Sequence, residues 1–219
     1  MKRLHVAAIV LTSVTTLLMV AGCRETDRPS SDADVYFDQG VSHYDKGEYY
    51  LALSSLTEAV EINPKHAEAY NTRGRAYRRI GRYDDAISDF SRAIQIDPQY
   101  SKAYCNRGLV YGQGKGQYDD AISDFTKAIE IDPEYADAYN NRGVAYTSKG
   151  QHDDAISDFN KAIEINPRDA MVHSNRGYAY FLKGEYDKAW DDIQVAQDSG
   201  FPVHPKLLED LQQVLREQE

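Results

Sequence analysis

Apolar residues between positions 67 and 100 recur at helical intervals in two successive stretches. Tyr70, Gly74 and Tyr77 fall on one face of a first helix, and Phe90 and Ile94 fall on one face of a second. Polar and charged residues fill most of the remaining positions. This pattern predicts two amphipathic helices that pack against each other through their apolar faces.

Small residues and helix-ending residues predict how these two helices are joined. Gly74 and Ala86 are small enough for the helices to approach closely. Gly81 stands where the first helix must stop, a position at which glycine favours a left-handed turn. Pro98 ends the second helix because its ring disfavours helical geometry at the preceding residue. The result is a helix–turn–helix unit of about 34 residues.

The same unit occurs five times along the chain. Its signature glycines are Gly40, Gly74, Gly108, Gly143 and Gly177. Alanines recur in step with these glycines, and a proline follows the second helix in the first four units. The chain therefore resembles the tetratricopeptide-repeat family, whose 34-residue unit has Gly, Ala and Pro in these phases. The resemblance implies an all-α fold: a right-handed α-solenoid of five antiparallel helix pairs that share a continuous core.

The spacing sets the predicted boundaries of the repeats. They span residues 33–66, 67–100, 101–135, 136–169 and 170–203. The third repeat has one extra residue, within the glycine-rich segment 112–116, which predicts a bulged turn between its helices. Residues 204–219 place leucines on one face of a helix that begins near Pro205. We predict that this helix caps the last pair; the alternative is a helix that binds a partner.

The first 22 residues have a different pattern. Lys2 and Arg3 precede an uncharged run over residues 6–20, which is short for a membrane span of about 20 residues. A basic start, a short apolar run and small residues at its end are typical of a secretory signal peptide. Residues 20–23, Val-Ala-Gly-Cys, resemble the bacterial lipobox. The resemblance implies that residues 1–22 are a lipoprotein signal peptide and that Cys23 is lipidated; an ordinary signal peptide is the alternative.

The segment after the signal is predicted to be a tether. Residues 23–33 are polar apart from the cysteine and alanine and lack helical periodicity, which favours a flexible connection to the anchor. Arg24 follows the cysteine where an aspartate would imply retention at the inner membrane. The expected location is therefore the cell envelope, at the periplasmic face of the outer membrane if the cell is Gram-negative.

The net charge limits the classes of partner to expect, and the cysteine content bears on disulfides and thiol chemistry. The formal net charge is -10, so the acidic body is expected to repel nucleic acid and anionic lipid, and we predict contact with the membrane through the lipid anchor only. The two cysteines, Cys23 and Cys105, offer no disulfide framework because the first ends the signal. Cys105 is expected to be buried; a redox-labile thiol is the alternative.

First helices line the concave face in this family, and we predict that this face binds an extended peptide. Two residues before the signature glycine, the second to fifth repeats carry Thr72 and then the asparagine column, Asn106, Asn141 and Asn175. An amide offers donors and an acceptor to both backbone groups of a peptide, and the column resembles the asparagine ladder of some family members. Asn71 and Asn140, one position earlier, belong to the same predicted site.

One residue after the signature glycine stands a second set, the post-glycine row: Arg75, Leu109, Val144 and Tyr178. Exposed apolar positions in a row often mark an interface, so we expect the row to take side chains of a peptide. The alternative is that these positions have no function.

A basic patch is predicted in the second repeat. Arg75, Arg78 and Arg79 are expected to face the groove, together with Lys102 of the next repeat, and to bind a carboxylate through bidentate contacts. Lys102 and Asn106 also match part of the carboxylate clamp of chaperone-binding family members, which Phe37 and Val41 do not complete. The alternative is a solvated face balanced by nearby aspartates.

Two further repeated features are expected to be structural. The arginine before the signature glycine (Arg73, Arg107, Arg142, Arg176) is predicted to pair with acidic residues of a neighbouring repeat. The acids that open the second helices, such as Asp84 and Asp119, are predicted to form a solvated convex face. No histidine, cysteine or carboxylate cluster has the spacing of a catalytic or metal site, so no enzyme activity, cofactor or small-molecule substrate is expected.

These features favour a membrane-tethered adaptor that holds an extended peptide or a loop of a protein partner in its concave groove. A self-associating structural or assembly subunit of an envelope complex is the alternative. A third possibility, the non-catalytic part of an enzyme system, would require a partner that one sequence does not show.

Overall fold

The computed structural model describes residues 30–218, which form eleven α-helices and, within that range, no strand. The helices are α1 (Ser30–Asp45), α2 (Tyr49–Ile62), α3 (Ala67–Arg79), α4 (Tyr83–Ile96), α5 (Ser101–Leu109), α6 (Tyr118–Ile131), α7 (Ala136–Ser148), α8 (His152–Ile165), α9 (Ala170–Lys183), α10 (Tyr186–Asp198) and α11 (Pro205–Gln218). Each odd-numbered helix from α1 to α9 packs on the helix that follows it, and each pair packs on the next. The predicted all-helical solenoid of five helix pairs with a C-terminal helix is confirmed.

Each pair packs closely because a glycine of the first helix faces a large side chain of the second. A Cβ atom on Gly74 would lie 2.8 Å from the ring of Phe90, and Gly108 meets Phe125 at the same distance. The ring therefore occupies the space that any other residue would fill. The repeated alanines, among them Ala86, are fully buried at the same contacts. This explains why small residues recur with the period of the repeat.

The turn inside each pair needs a left-handed residue. Gly81 has a φ of 78°, a conformation that costs a residue with a Cβ about 1 kcal/mol or more. Its backbone N–H donates to the carbonyl of Arg78. The glycine thus ends the first helix and lets α4 begin two residues later, which keeps the pair antiparallel.

The extra residue of the third repeat is absorbed within its first helix. Directly after α5, the segment Val110–Gly114 forms a π-helical turn, which has more residues per turn than an α-helix. The predicted bulge is therefore a widened helical turn, and a left-handed Gly116 still ends it.

The C-terminal helix covers the last pair. Leu211 is fully buried in a cluster with Ala189 and Ile193 of α10, and Leu207 and Leu215 pack around them. This placement agrees with the predicted cap. Without α11, the apolar face of α10 would be open to water.

The N-terminal predictions are only partly covered by the structure. The signal peptide over residues 1–22 and the lipidated Cys23 lie outside the described residues. The predicted tether over residues 23–33 is too long, because α1 begins at Ser30. The sequence suggested no helix there because residues 30–32 are all polar and show no apolar periodicity. Within residues 30–218, none of the helices has the length and apolar character needed to span a bilayer.

Candidate functional site

Asparagine side chains join neighbouring repeats along the first helices. The amide nitrogen of Asn106 donates to the oxygen of Asn71 at 2.9 Å, and that of Asn175 donates to the oxygen of Asn140 at 2.9 Å. Between these two pairs, the amide of Asn141 donates to the sulfur of Cys105 at 3.7 Å. The asparagine column therefore bonds, in each repeat, to the residue three positions before the signature glycine of the preceding repeat.

This bonding changes the roles predicted for the asparagines. Asn71 and Asn140 are buried, so the prediction that they contact a peptide is wrong: their oxygens are used between repeats. Thr72 is buried as well. Asn106, Asn141 and Asn175 are only partly buried, and each commits one N–H to the neighbouring repeat. Each retains an amide oxygen that can face the concave side.

These bonds (Asn71–Asn106, Cys105–Asn141 and Asn140–Asn175) form an asparagine seam between the repeats. Cys105 is the one member of the seam that is not an asparagine. It is buried, as predicted, and burial raises the pKa of its thiol to about 11, although contacts with Tyr135 and Asn141 act in the opposite direction. The thiol is therefore protonated at neutral pH and a poor nucleophile. Tyr135 occupies the position of Tyr100, whose hydroxyl accepts a hydrogen bond from Asn71 at 3.3 Å.

The post-glycine row runs along the first helices, and part of it lines a cavity. A cavity of about 160 Å³ opens between α5 and α7, with Leu109, Asn141 and Val144 in its wall. Gly112 and Gln113 of the π-helical turn and Tyr118 at the start of α6 complete that end. The structure thus brings three predicted site residues together. The contribution of the π-helical turn was missed, although the extra residue in the third repeat was its signal.

A second cavity lies at the C-terminal end of the same face. It has a volume of about 520 Å³ and is lined by Asn175 and Tyr178 of α9 and by His204 and Leu207 near the start of α11. Tyr178 is 44% exposed, and Leu182, one helical turn further on, is also exposed. Leu182 was not predicted; its spacing of four residues from Tyr178 was the available signal. The cap therefore forms one wall of this cavity.

The basic patch is smaller than predicted. The guanidinium of Arg75 lies 4.3 Å from the ring centre of Tyr44, and the Nε of Arg78 is buried without a hydrogen-bond partner among the described residues. Arg79 instead donates from Nε to the hydroxyl of Tyr49 at 2.9 Å, at the rim where the inter-helix turns lie. That bond raises the pKa of Arg79. Arg79 therefore contacts α2, whereas Arg75 contacts α1.

Lys102 does not join the two arginines. The bond between Asn71 and Asn106 aligns α3 with α5, two helices that run in the same direction, and places Lys102 level with Ala67. Arg75 lies eight residues further along α3, which is about 12 Å at the rise of an α-helix. The prediction grouped Lys102 with Arg75 and Arg78 because the alignment of neighbouring first helices cannot be read from the sequence.

The repeated arginines hold the solenoid together, but through a different partner from the one predicted. Arg73, Arg107, Arg142 and Arg176 each bind an aspartate within their own repeat, respectively Asp89, Asp124, Asp158 and Asp192. The neighbouring repeat supplies a neutral acceptor instead: Arg107 reaches Ser91 and Arg142 reaches Thr126. The first repeat has Gln39 and Ser55 at the equivalent positions and lacks the pair.

Burial acts against the charge of two of these aspartates, Asp89 and Asp158. It raises the pKa of Asp158, although the hydrogen bonds from Arg142 lower it, and those bonds in turn raise the pKa of the arginine. By contrast, the acids that open the second helices, such as Asp84 and Asp119, are largely exposed and pair with Lys115 and Lys149. No three His, Cys, Asp or Glu side chains in the described part of the chain are grouped so that they could hold a metal ion.

Family profiles of tetratricopeptide repeats match most of the described chain. Profiles described as "Tetratricopeptide repeat" match residues 33–66, 55–88, 136–169 and 159–191, and one described as "TPR repeat" matches 74–114 and 115–149. Together the matches span residues 33–191 without a gap. Comparison with curated protein sequences gives no significant match.

Several solved structures share the fold. The crystal structure of MamA is 28% identical, with a TM-score of 0.67, and the match covers 78% of this chain and 93% of MamA. PilF of Pseudomonas aeruginosa is 20% identical, with a TM-score of 0.76 and 86% of both chains covered. YrrB, described as a TPR protein with an unusual peptide-binding site, is 24% identical, with a TM-score of 0.65 and coverage of 82% and 91%. With its repeats matched from residue 33 to residue 191, the chain belongs to the tetratricopeptide-repeat family.

Proposed function

We propose that this protein is a membrane-tethered adaptor whose concave face binds an extended peptide or a loop of a partner protein. The observation that carries the proposal is the row Leu109, Val144 and Tyr178, which lines two cavities on the face formed by the first helices. Cavities with mainly apolar walls and a few polar groups are the usual form of a binding site. The proposed role is non-catalytic.

The asparagine column supports the same role in a reduced form. Asn141 and Asn175 stand beside the apolar residues of the two cavities. Their amide oxygens can accept hydrogen bonds from the backbone of a bound segment, while their N–H groups hold the repeats together. Backbone contacts of this kind read little sequence, so modest affinity and broad specificity are expected. YrrB is described as having a peptide-binding site, so a protein of this fold can have one.

The tether is the second part of the proposal. Lipid on Cys23 would hold the protein at a membrane of the cell envelope, the periplasmic face of the outer membrane in a Gram-negative cell. Residues 23–29 can span at most about 25 Å when fully extended. The first repeat would therefore stay within that distance of the lipid surface. Stable attachment takes about two acyl chains or more.

A pull-down from detergent-solubilised envelopes tests the groove. The bait is the wild-type protein, compared with Val144→Asp in the groove and Val195→Asp on α10 as a matched control, because both valines are partly or largely exposed. Loss of a partner from the first variant and its retention by the second supports the proposal. Retention of the same partners by both variants would move the binding surface elsewhere.

Fractionation tests the tether separately. Cys23→Ser removes the sulfur that the lipid needs and should move the protein from the membrane to the soluble fraction. A Cys105→Ser variant is the control and should remain with the membrane. If both variants remain membrane-bound, the anchor is not at Cys23.

Self-association is the second candidate function, and one observation favours it. Val35 on α1 is 54% exposed, whereas its equivalents Ala69, Ala103, Ala138 and Val172 are buried against the preceding repeat. Another copy could cover this end of the solenoid. Sedimentation of the purified protein over a range of concentrations tests this. A mass that rises with concentration for wild type but not for Val35→Asp favours assembly. A constant monomer mass for wild type rejects it.

A further inference from the structure

The chemistry of the groove changes along the solenoid. The asparagine seam places the post-glycine row level across four repeats, so Arg75, Leu109, Val144 and Tyr178 succeed one another from α3 to α9. The row begins with a cation and continues with three side chains that are mainly apolar. A ligand that crosses the repeats along this row meets charge at one end and apolar surface at the other.

The cationic end lacks an internal counter-charge. Arg73 and its three equivalents each bind a buried aspartate, but Arg75 and Arg78 form no ion pair with any residue between positions 30 and 218. Arg75 stacks on Tyr44, and a stacked guanidinium still donates through its edges. The Nε of Arg78 is a buried donor that has no hydrogen-bond partner in the described part of the chain. In a chain of net charge -10, two unpaired guanidinium groups on one helix turn favour an anionic ligand group.

The apolar end has room for side chains. Leu109 and Val144 border the cavity of about 160 Å³, and Tyr178 borders the cavity of about 520 Å³. The lining of the first cavity has no charged residue, and that of the second has Lys206 and Asp210, which pair with each other. These subsites favour aliphatic or aromatic side chains.

The spacing of the repeats selects the shape of the ligand. The asparagine seam holds neighbouring first helices side by side, and adjacent helices usually lie about 8–10 Å apart, so we expect successive members of the row to be separated by roughly that distance. In a polyproline II helix, every third residue faces the same side and lies about 9.3 Å further along. In a β-strand, residues on one side are about 6.6 Å apart, which does not match. The row therefore fits residues i, i+3, i+6 and i+9 of a polyproline II segment.

We propose that the groove recognises a polyproline II-like segment of a partner protein with an acidic residue at one end and apolar residues at three successive three-residue intervals. The acidic side chain binds Arg75 and Arg78, and the apolar side chains bind beside Leu109, Val144 and Tyr178. This inference rests on the proposed function and names the chemistry of the ligand. The acid belongs to a side chain within the segment.

Fluorescence anisotropy with synthetic peptides tests the inference. The probes are labelled peptides of about twelve residues with blocked termini, one with the glutamate at the N-terminal end and one with it at the C-terminal end. Both carry leucines at three-residue intervals, separated by proline and serine. Full-length protein in detergent is expected to bind at least one of the two orders, and glutamate-to-lysine substitution in that peptide should weaken binding about tenfold or more.

Protein variants locate the charge contact. Arg75→Glu should weaken binding of the glutamate peptide about tenfold or more and improve binding of the lysine peptide. The matched control is Arg168→Glu, because Arg168 is exposed in the turn between α8 and α9. Arg75→Gln provides a second variant with a smaller perturbation, and circular dichroism checks that each variant is folded. The control should bind as wild type does.

Several results would contradict the proposed ligand chemistry. The inference fails if neither peptide binds, if glutamate and lysine peptides bind equally, or if peptides with two-residue spacing bind as tightly. It also fails if Arg75→Glu has no effect. In any of these cases, loss of a partner by Val144→Asp in the pull-down would still support the adaptor, so failure of the ligand chemistry and failure of the proposed function are distinguishable.

Discussion

Arg142 donates two hydrogen bonds of 2.7 Å to Asp158, one to each carboxylate oxygen, and a third of 2.9 Å to Thr126 in the preceding repeat. One guanidinium thus connects three helices, α6, α7 and α8. Both charged side chains are mostly buried, so neither can exchange its partner for water at low cost. The contact recurs in the second to fifth repeats.

Asp158→Asn is expected to destabilise the protein by about 3 kcal/mol, because the amide cannot accept both bonds and leaves Arg142 with an incomplete partner. Urea unfolding followed by circular dichroism measures this change. Asp154→Asn is the control, since Asp154 is exposed and accepts only a long bond from Gln151. Equal stability of the two variants would show that the buried pair contributes little.

Gly143→Ala is expected to destabilise the protein by about 1–3 kcal/mol, because the added Cβ would lie 2.7 Å from the ring of Phe159. This cost exceeds the gain of about 1 kcal/mol from the better helix propensity of alanine. Thermal unfolding provides the measurement. The matched variant Gly112→Ala places its Cβ 3.4 Å from Ala121, an ordinary contact, and should be close to neutral. A neutral Gly143→Ala would contradict the close-packing argument.

Cys105→Asn should extend the asparagine seam to the third repeat. An amide at this position can accept a normal hydrogen bond from Asn141 in place of the weak contact to sulfur, a gain of about 1 kcal/mol. Chemical unfolding of Cys105→Asn and Cys105→Ala separates hydrogen bonding from loss of bulk. A lower stability for Cys105→Asn than for wild type would mean that the site cannot hold the amide.

The buried thiol also predicts a dependence on pH. Burial raises the pKa of Cys105 from 9.0 to about 11, so the thiol ionises at lower pH in the unfolded chain than in the folded one. Its contribution to stability is complete below pH 9 and is lost as the pH rises to about 11, by up to about 3 kcal/mol. Urea unfolding of wild type and Cys105→Ala from pH 7 to 11 measures the difference. A constant difference across this range would contradict the assignment.

The sequence predicted the repeats well because each slot has a strong local requirement. Position 74 must hold a glycine because the ring of Phe90 fills the space of a Cβ, and position 81 needs one because its φ is positive. Glycines at these intervals therefore reveal the helix pairs. The grouping of Leu109 with Val144 was also predicted, because both follow the signature glycine in the same phase, and both line the first cavity.

The partners of polar side chains were less predictable. The alignment of α3 with α5 decides that Asn71 is buried against Asn106 and that Lys102 lies away from Arg75, and no local pattern reports that alignment. The partner of Arg73 was misplaced for the same reason: Asp89 is one of several aspartates on its helix, and only packing shows which one turns inward. Side-chain pairing across helices is set by tertiary geometry.

The bond that each arginine sends to the preceding repeat has a consequence for the length of the chain. Its acceptors are Thr57, Ser91, Thr126 and Asn160, which are three kinds of side chain that all offer an oxygen at the same place. Any repeat that has the arginine can therefore follow any of the first four. Excision of residues 101–135 would bring Arg142 against Ser91 in place of Thr126, and Asn141 against Asn71 in place of Cys105. For this contact, the solenoid can be shortened or lengthened by whole units without a new kind of acceptor.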